Sequence, residues 1–188
     1  MSEMKIVGLT GSLRQGAFTR QMMDTLAEIA PQGMEITQPE IGQLPFYNAD
    51  LREGESGPAS VRDLAAQVVA ADGLIVGSPE YNRSFPAVLK NALDWLSKEP
   101  DKPLASKPTL IVTQSPGQLG GILANYHLRQ VMSVTGAVFI TGGEVAISGI
   151  ASKVADGRIS DGPTRDFLAT NLDRLADLIA RMRQGATG

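Results

Sequence analysis

Residues 73–97 read GLIVGSPEYNRSFPAVLKNALDWLS and contain a strand, a loop and a helix in succession. The apolar run Gly73–Gly77 predicts a strand, and Pro86–Ser97 has the length and apolar spacing of a helix. A second apolar run follows at Lys107–Thr113. Neither run alternates between polar and apolar residues, so helices are expected to cover both faces of each strand. This unit predicts an α/β fold with a parallel sheet in which these two strands are central.

The rest of the chain repeats the same pattern on both sides of this unit. Further strands are predicted at Lys5–Thr10, Glu35–Gln38 and Ala137–Ile140. Further helices are predicted at Phe18–Ala30, Ala59–Ala71, Gly121–Thr135 and Pro163–Arg183. The segments Arg52–Pro58 and Thr141–Gly162 are expected to be loops. No repeat or linker divides the chain, so five strands and five helices are expected to form one domain, residues 1–188.

Composition narrows the classes of function. A chain of 188 residues with 43% hydrophobic and 20% charged residues is typical of one globular domain. Cysteine is absent and His127 is the one histidine, so neither thiol chemistry nor a metal site is expected. A net charge of −3 does not favour binding to nucleic acid. The apolar runs are too short to span a membrane and no secretory signal is visible, so a cytoplasmic protein is expected.

The segment after the first strand, Gly11–Arg20, has the residue types of a phosphate-binding turn. Glycines allow backbone amides to face inward, and the start of the predicted helix adds partial positive charge. Arg14 offers a fork that fits phosphate oxygens. The lysine of a nucleoside triphosphate loop and the glycine pattern of a dinucleotide fold are both missing, which favours a single terminal phosphate. The alternative is an ordinary turn with a surface arginine.

Two further loops would lie at the same edge of the sheet. Residues 78–86 combine two prolines with Tyr81 and Asn82, which can hold and hydrogen-bond a planar heterocycle. The alternative is a turn whose Tyr81 covers the core and whose Glu80 caps a helix. Residues 113–121 are rich in glycine and hydroxyl groups, so a ring can approach closely beside Ser115. Together the three loops predict a site for a mononucleotide with a large flat base.

Three motifs resemble the NADPH-dependent FMN reductase family, which includes bacterial quinone, chromate and azo-dye reductases. The motifs are GSLR at 11–14, SPEYN at 78–82 followed by PAVLKNALDW at 86–95, and GG at 120–121 followed by YHLR at 126–129. The resemblance runs from about Lys5 to Ala155. It implies a flavodoxin-like three-layer sandwich with strand order 2-1-3-4-5. It also implies noncovalent FMN and a homodimer or homotetramer whose subunit interface helps form the active site.

The resemblance also implies which residues hold FMN. The predicted contacts are Ser12, Arg14, Ala17, Phe18 and Thr19 around the phosphate, Pro79, Glu80, Tyr81, Asn82 and Arg83 around the isoalloxazine, and Ser115 as a third wall. The sequence departs from the family at Ala17, where serine is usual, at Thr19, where asparagine is usual, and at Arg83, where an aromatic or small residue is usual. These departures alter the donors to the phosphate and the substrate side of the pocket.

The expected function is that of an enzyme, an oxidoreductase that takes electrons from NADPH or NADH. Bound FMN would pass them to quinones or similar acceptors such as azo dyes, chromate, ferric chelates or free flavin. No catalytic side chain is required, and Trp95 and His127 are interpreted as structural residues. One alternative is a flavodoxin-like electron carrier without nicotinamide-dependent activity, and another is a flavin-free α/β regulatory or structural protein.

Overall fold

The computed structural model describes residues 3–185, so the first two and last three residues of the predicted domain lie outside the described part. The strands are β1 (Met4–Thr10), β2 (Met34–Thr37), β3 (Gly73–Pro79), β4 (Pro108–Gln114), β5 (Val138–Phe139), β6 (Val145–Ile147), β7 (Val154–Ala155) and β8 (Arg158–Ile159). The helices are α1 (Phe18–Glu28), α2 (Ala59–Ala70), α3 (Ala87–Leu96), α4 (Ile122–Val134) and α5 (Gly162–Gly185). Two short 3-10 helices cover Ala49–Leu51 and Ile150–Ser152.

The main sheet is parallel and has the order β2-β1-β3-β4-β5. The predicted flavodoxin-like order is therefore confirmed. Every residue of β3 and β4 is buried, as expected for central strands covered on both faces. Val76 lies between Leu9 of β1 and Ile111 of β4, which shows how closely the three central strands stay in register.

The prediction that Thr141–Gly162 forms a loop is partly wrong, because this segment contains short strands. β6 pairs in parallel with the end of β4, while β5 pairs with its beginning, so two pieces share one edge of the sheet. Gly142 and Gly143 have φ values of 109° and 95° and lie in the gap between the two pieces. β7 and β8 form a separate antiparallel pair. Runs of two or three residues are too short to produce a recognisable period in the sequence.

Helices cover the two faces of the sheet in three layers. Residues of α1 and α5, including Met22, Leu26 and Leu172, pack with Ile75 on one face. Residues of α2, α3 and α4 pack with Leu74 and Val76 on the other face. Successive strand residues therefore point into opposite cores, as the pleat of a strand requires. No helix within residues 3–185 is long and apolar enough to cross a membrane.

Trp95 holds the long connection between β2 and α2 against α3. Its side chain is fully buried, and its Nε1 donates a hydrogen bond to the carbonyl oxygen of Pro45 at 2.8 Å. Its ring meets Tyr47 edge to face, with 4.8 Å between centroids. The predicted structural role of Trp95 is confirmed.

Candidate active site

The carboxyl ends of β1, β3 and β4 meet at one open cleft of about 210 Å³. Open parallel sheets bind ligands at this edge. Eleven residues line the cleft, namely Ser12, Arg14, Ala17, Phe18, Thr19, Pro79, Glu80, Tyr81, Gln114, Ser115 and Pro116. Nine of them are among the eleven predicted FMN contacts. The other two predicted contacts, Asn82 and Arg83, are not part of the lining.

The first wall is the turn between β1 and α1. The amide of Gly11 donates to the carbonyl oxygen of Gly77 at 2.8 Å, which holds the turn against β3. A Cβ at position 11 would lie 2.5 Å from a methyl carbon of Leu89 and 3.1 Å from the carbonyl oxygen of Gly77, so a side chain here would displace the buried Leu89. The turn thereby places the buried Ser12 and the start of α1 beside the cleft.

The start of α1 supplies hydrogen-bond donors to the cleft. Ala17 occupies the N-cap position, and no side chain accepts a hydrogen bond from the first-turn amides. Those amides have no partner within the helix, and the helix dipole makes the region favourable for an anion. Arg14 adds a full positive charge. Its guanidinium contacts only the neighbouring carbonyl oxygen of Gln15, at 3.4 Å, and forms no ion pair with a described residue.

The second wall follows β3 and ends in a tight hairpin. Tyr81 and Ser84 exchange backbone hydrogen bonds of 2.8 and 3.0 Å. The two residues between them, Asn82 and Arg83, have φ values of 50° and 66°, which is the geometry of a type I′ turn. Asn82 and Arg83 are exposed and do not line the cleft, while Tyr81 is in the lining with 52% of its surface exposed.

Glu80 fixes the second wall to α4. Its Oε2 accepts hydrogen bonds from the amides of Leu123 at 3.1 Å and Ala124 at 3.3 Å. A carboxylate at a helix N-terminus is stabilised by these amides and by the helix dipole. The helix-capping interpretation of Glu80 is therefore confirmed, and the carboxylate connects two loops of the cleft.

The third wall is the loop that follows β4. Ser115 lines the cleft, whereas Gly120 and Gly121 have a packing role, and the close approach of a ring to this loop stays a prediction. A Cβ at Gly120 would lie 2.7 Å from the backbone of Ala146, and one at Gly121 would lie 3.1 Å from the carbonyl oxygen of Gln114. These glycines allow the chain to pack against β6 and β4. Neither lines the cleft.

Gln114 and Pro116 are lining residues that the sequence analysis missed. Gln114 is the last residue of β4, only 4% of it is exposed, and its Nε2 donates to Thr19 Oγ1 at 2.9 Å. Its Oε1 is buried without a hydrogen-bond partner in the described structure. A polar residue at the carboxyl end of a central strand was the available signal, because such ends face the ligand in this fold.

His127 lies outside the cleft on the surface of α4. Its Nδ1 is 3.1 Å from Ser84 Oγ, so the imidazole contacts the base of the hairpin. The side chain is exposed and is not in the lining. This position agrees with the predicted structural role.

The cleft combines two kinds of binding surface. Uncapped amides and Arg14 form a region suited to an anion, and Tyr81 with Pro79 forms a flat, partly apolar region. Arg14 and Glu80 are the charged residues in the described lining. The carboxylate of Glu80 already accepts hydrogen bonds from the start of α4. The arrangement therefore favours a ligand with a phosphate at one end and a planar ring at the other.

Known proteins are similar to this chain in both sequence and fold. A family model described as NADPH-dependent FMN reductase matches residues 4–152. A quinone reductase of Escherichia coli strain K12 is 43% identical over 187 residues, covering 97% of this chain and 100% of that protein. An NAD(P)H-dependent FMN reductase of Pseudomonas aeruginosa is 35% identical and covers 96% of this chain and 98% of its own length.

A solved structure extends the comparison to three dimensions. FerB, a flavoenzyme NAD(P)H:(acceptor) oxidoreductase from Paracoccus denitrificans, has a TM-score of 0.86 and 32% identity, and covers 95% of this chain and 98% of its own. The predictions of an oxidoreductase, of FMN as cofactor and of NAD(P)H as electron donor are confirmed by these matches. The chain belongs to the family of NADPH-dependent FMN reductases.

Proposed function

We propose that this enzyme passes electrons from NADPH or NADH to small planar acceptors of the quinone type, with FMN held noncovalently in the cleft. The main support is that the uncapped start of α1, Arg14 and the exposed ring of Tyr81 all line the same cleft. The choice of a quinone rests on the similarity to the quinone reductase of Escherichia coli.

The donors in the cleft fit the two ends of FMN. We assign the phosphate to Arg14, to the buried hydroxyl of Ser12 and to the first-turn amides beyond Ala17, including those of Phe18 and Thr19. The isoalloxazine is assigned to the surface formed by Pro79, Glu80 and Tyr81, with Ser115 as the third wall. Asn82 and Arg83 are assigned to the turn that orients Tyr81.

When bound in the cleft, FMN would supply the redox chemistry, the transfer of a hydride equivalent from the nicotinamide to the acceptor. The protein binds and orients the reactants. Reduction of a quinone consumes one proton beyond the hydride. Glu80 is bonded to α4, and no other carboxyl or imidazole group lines the described cleft. We therefore infer that this proton comes from water at the open mouth.

Cofactor release and steady-state kinetics test this function. The purified protein should release FMN on heating, as identified by chromatography, and should oxidise NADH or NADPH with a benzoquinone. Sharing of this one cleft by both substrates predicts ping-pong kinetics, because the nicotinamide must leave before the acceptor stacks. The rates of nicotinamide oxidation with an azo dye, chromate, a ferric chelate and free flavin then rank these acceptors against the benzoquinone. Release of FAD instead of FMN, or a flavin-loaded protein that does not oxidise nicotinamides, would refute the proposal, and the latter would favour an electron carrier.

We further propose a homo-oligomer whose interface borders the cleft. A volume of about 210 Å³ is below the range of ~300–1,000 Å³ of most small-molecule sites. Large side chains are exposed on segments next to the cleft, namely Leu13, Tyr81, Leu119 and Tyr126. Burial of such side chains by a second copy would complete the site. Sedimentation should give a multiple of 19.9 kDa, whereas a fully active monomer at micromolar concentration would contradict the proposal.

A cytoplasmic location is part of the proposed function, since nicotinamide nucleotides are intracellular donors. Fractionation of the producing cells should recover the NADPH-oxidising activity with cytoplasmic markers. Recovery with a secreted or membrane fraction would contradict this location.

A further inference from the structure

Gln114 is the buried polar residue that the proposed contacts to FMN leave unexplained. It ends β4, lines the cleft and contacts α1. Its Nε2 donates to the fully buried Thr19 Oγ1, which fixes one end of the amide. Its Oε1 is the one buried side-chain polar atom in residues 3–185 without a partner. Buried carbonyl oxygens are almost always hydrogen-bonded, so this atom needs a donor.

The position of Gln114 limits which donor can reach it. Thr19 belongs to the first turn of α1, so the amide lies beside the region assigned to the phosphate. Tyr81, on the second wall of the same cleft, belongs to the region assigned to the ring. The part of FMN that joins phosphate to ring is a polyol chain with three hydroxyl groups. A hydroxyl group donates one hydrogen bond, which is what a free carbonyl oxygen accepts.

We propose that Gln114 Oε1 accepts a hydrogen bond from a hydroxyl of the FMN polyol chain and thereby selects flavins that carry this chain. The inference rests on the proposed position of FMN in the cleft. Thr19 then has an indirect role, because its hydroxyl holds the amide with Oε1 directed to the ligand. Thr19→Val is expected to weaken binding less than the loss of the amide itself.

Titration of apoprotein with three flavins tests the proposal. FMN has chain and phosphate, riboflavin has the chain alone, and lumiflavin has neither. Gln114→Leu should raise the Kd of FMN and riboflavin by about three- to tenfold and leave that of lumiflavin unchanged, as expected for one neutral hydrogen bond. Gln118→Leu is the matched control, because Gln118 is exposed in the same loop and outside the cleft. It should leave all three constants unchanged.

Gln114→Glu distinguishes an acceptor from a donor at this position and serves if the leucine variant does not fold. A glutamate keeps the acceptor oxygen, and the Thr19 hydroxyl can donate to its second oxygen. Riboflavin affinity should therefore stay within about twofold of the wild type, whereas FMN should bind more weakly because its phosphate repels the carboxylate. The fold of each apoprotein is checked by circular dichroism before titration.

Three results would overturn the proposal. Equal weakening of lumiflavin and riboflavin in Gln114→Leu would mean that Gln114 only shapes the cleft. Unchanged riboflavin affinity in Gln114→Leu would mean that water satisfies Oε1. Loss of riboflavin affinity in Gln114→Glu would mean that the amide acts through Nε2. If the wild-type apoprotein binds no flavin, the proposed function itself fails; if Arg14→Ala weakens FMN while Gln114→Leu does not, only this inference fails.

Discussion

Replacing Arg14 with alanine should weaken FMN binding through the phosphate alone. Arg14 lines the cleft with an exposed guanidinium, and its one hydrogen bond, to the carbonyl oxygen of Gln15 at 3.4 Å, is long. The substitution therefore removes few intramolecular contacts from the apoprotein. Its free energy of unfolding should stay within about 0.5 kcal/mol of the wild type. A larger change in the free energy of FMN binding would then reflect the lost contact between Arg14 and the phosphate.

The expected rise in the Kd of FMN follows from the exposure of Arg14. A hydrogen bond between charged groups contributes about 1.5–3 kcal/mol, and solvent at an open site places Arg14 in the lower half of this range. At about 1.4 kcal/mol per tenfold change, the Kd of FMN should rise roughly ten- to fortyfold. Thr19→Val should raise it less. Arg14→Lys should retain part of the affinity, since it keeps the charge but loses the fork.

Fluorescence titration of apoprotein with FMN and with riboflavin measures the phosphate contribution. The loss in Arg14→Ala should be confined to FMN and should shrink as salt is raised, because salt screens the charge pair. Arg20→Ala is the control, since Arg20 is already paired with Glu40 at 2.7 Å and does not line the cleft. Equal weakening of FMN and riboflavin in Arg14→Ala would refute the reasoning and make Arg14 a residue of the fold.

Three further substitutions test the structure. Ala17→Ser should provide the missing cap of α1, so thermal unfolding of the apoprotein should occur at a higher temperature while the Kd of FMN stays unchanged or falls. Trp95→Phe should lower the free energy of unfolding by about 1–3 kcal/mol in urea, since it removes one of the two hydrogen bonds to the carbonyl of Pro45, leaving that from Asn91 Nδ2, and leaves part of a buried site unfilled. Asp72 should stabilise the fold above pH 4: partial burial raises its pKa, but hydrogen bonds from Arg183 and the Lys5 amide outweigh burial and hold that pKa below 3.8. Asp72→Asn should thus reduce the urea midpoint at pH 7 more than in acid, and an equal loss at both pH values would contradict this.

Most of the fold is predictable from the sequence because its central strands carry a strong signal. Gly73–Gly77 is apolar throughout and Lys107–Thr113 contains the apolar run Leu110–Val112; each is followed by a segment of helical period. The observed strands differ from the predictions by one or two residues at their ends. The short strand Val145–Ile147 was missed because its pairing with β4 depends on tertiary contact rather than on local periodicity.

The cleft was predictable only to the level of which loops form it. Positions at the carboxyl ends of strands follow from topology, so Ser12, Pro79 and Ser115 could be placed there. The absence of Arg83 from the lining could not be predicted, because it depends on a type I′ turn that usually contains glycine rather than arginine. The free oxygen of Gln114 could not be predicted either, since its partner Thr19 is 95 residues away in the chain.

The division of the outer strand into β5 and β6 has a consequence for solubility. These pieces have two and three residues, and β2, at the opposite edge, has four. Long rows of unpaired backbone groups at a sheet edge recruit strands from other molecules and promote aggregation. Both edges of this sheet are too short to offer such a row, and Glu35 adds a charge to one of them. The architecture therefore resists edge-to-edge growth, and an ordered assembly of this protein would bury helices and loops rather than extend the sheet.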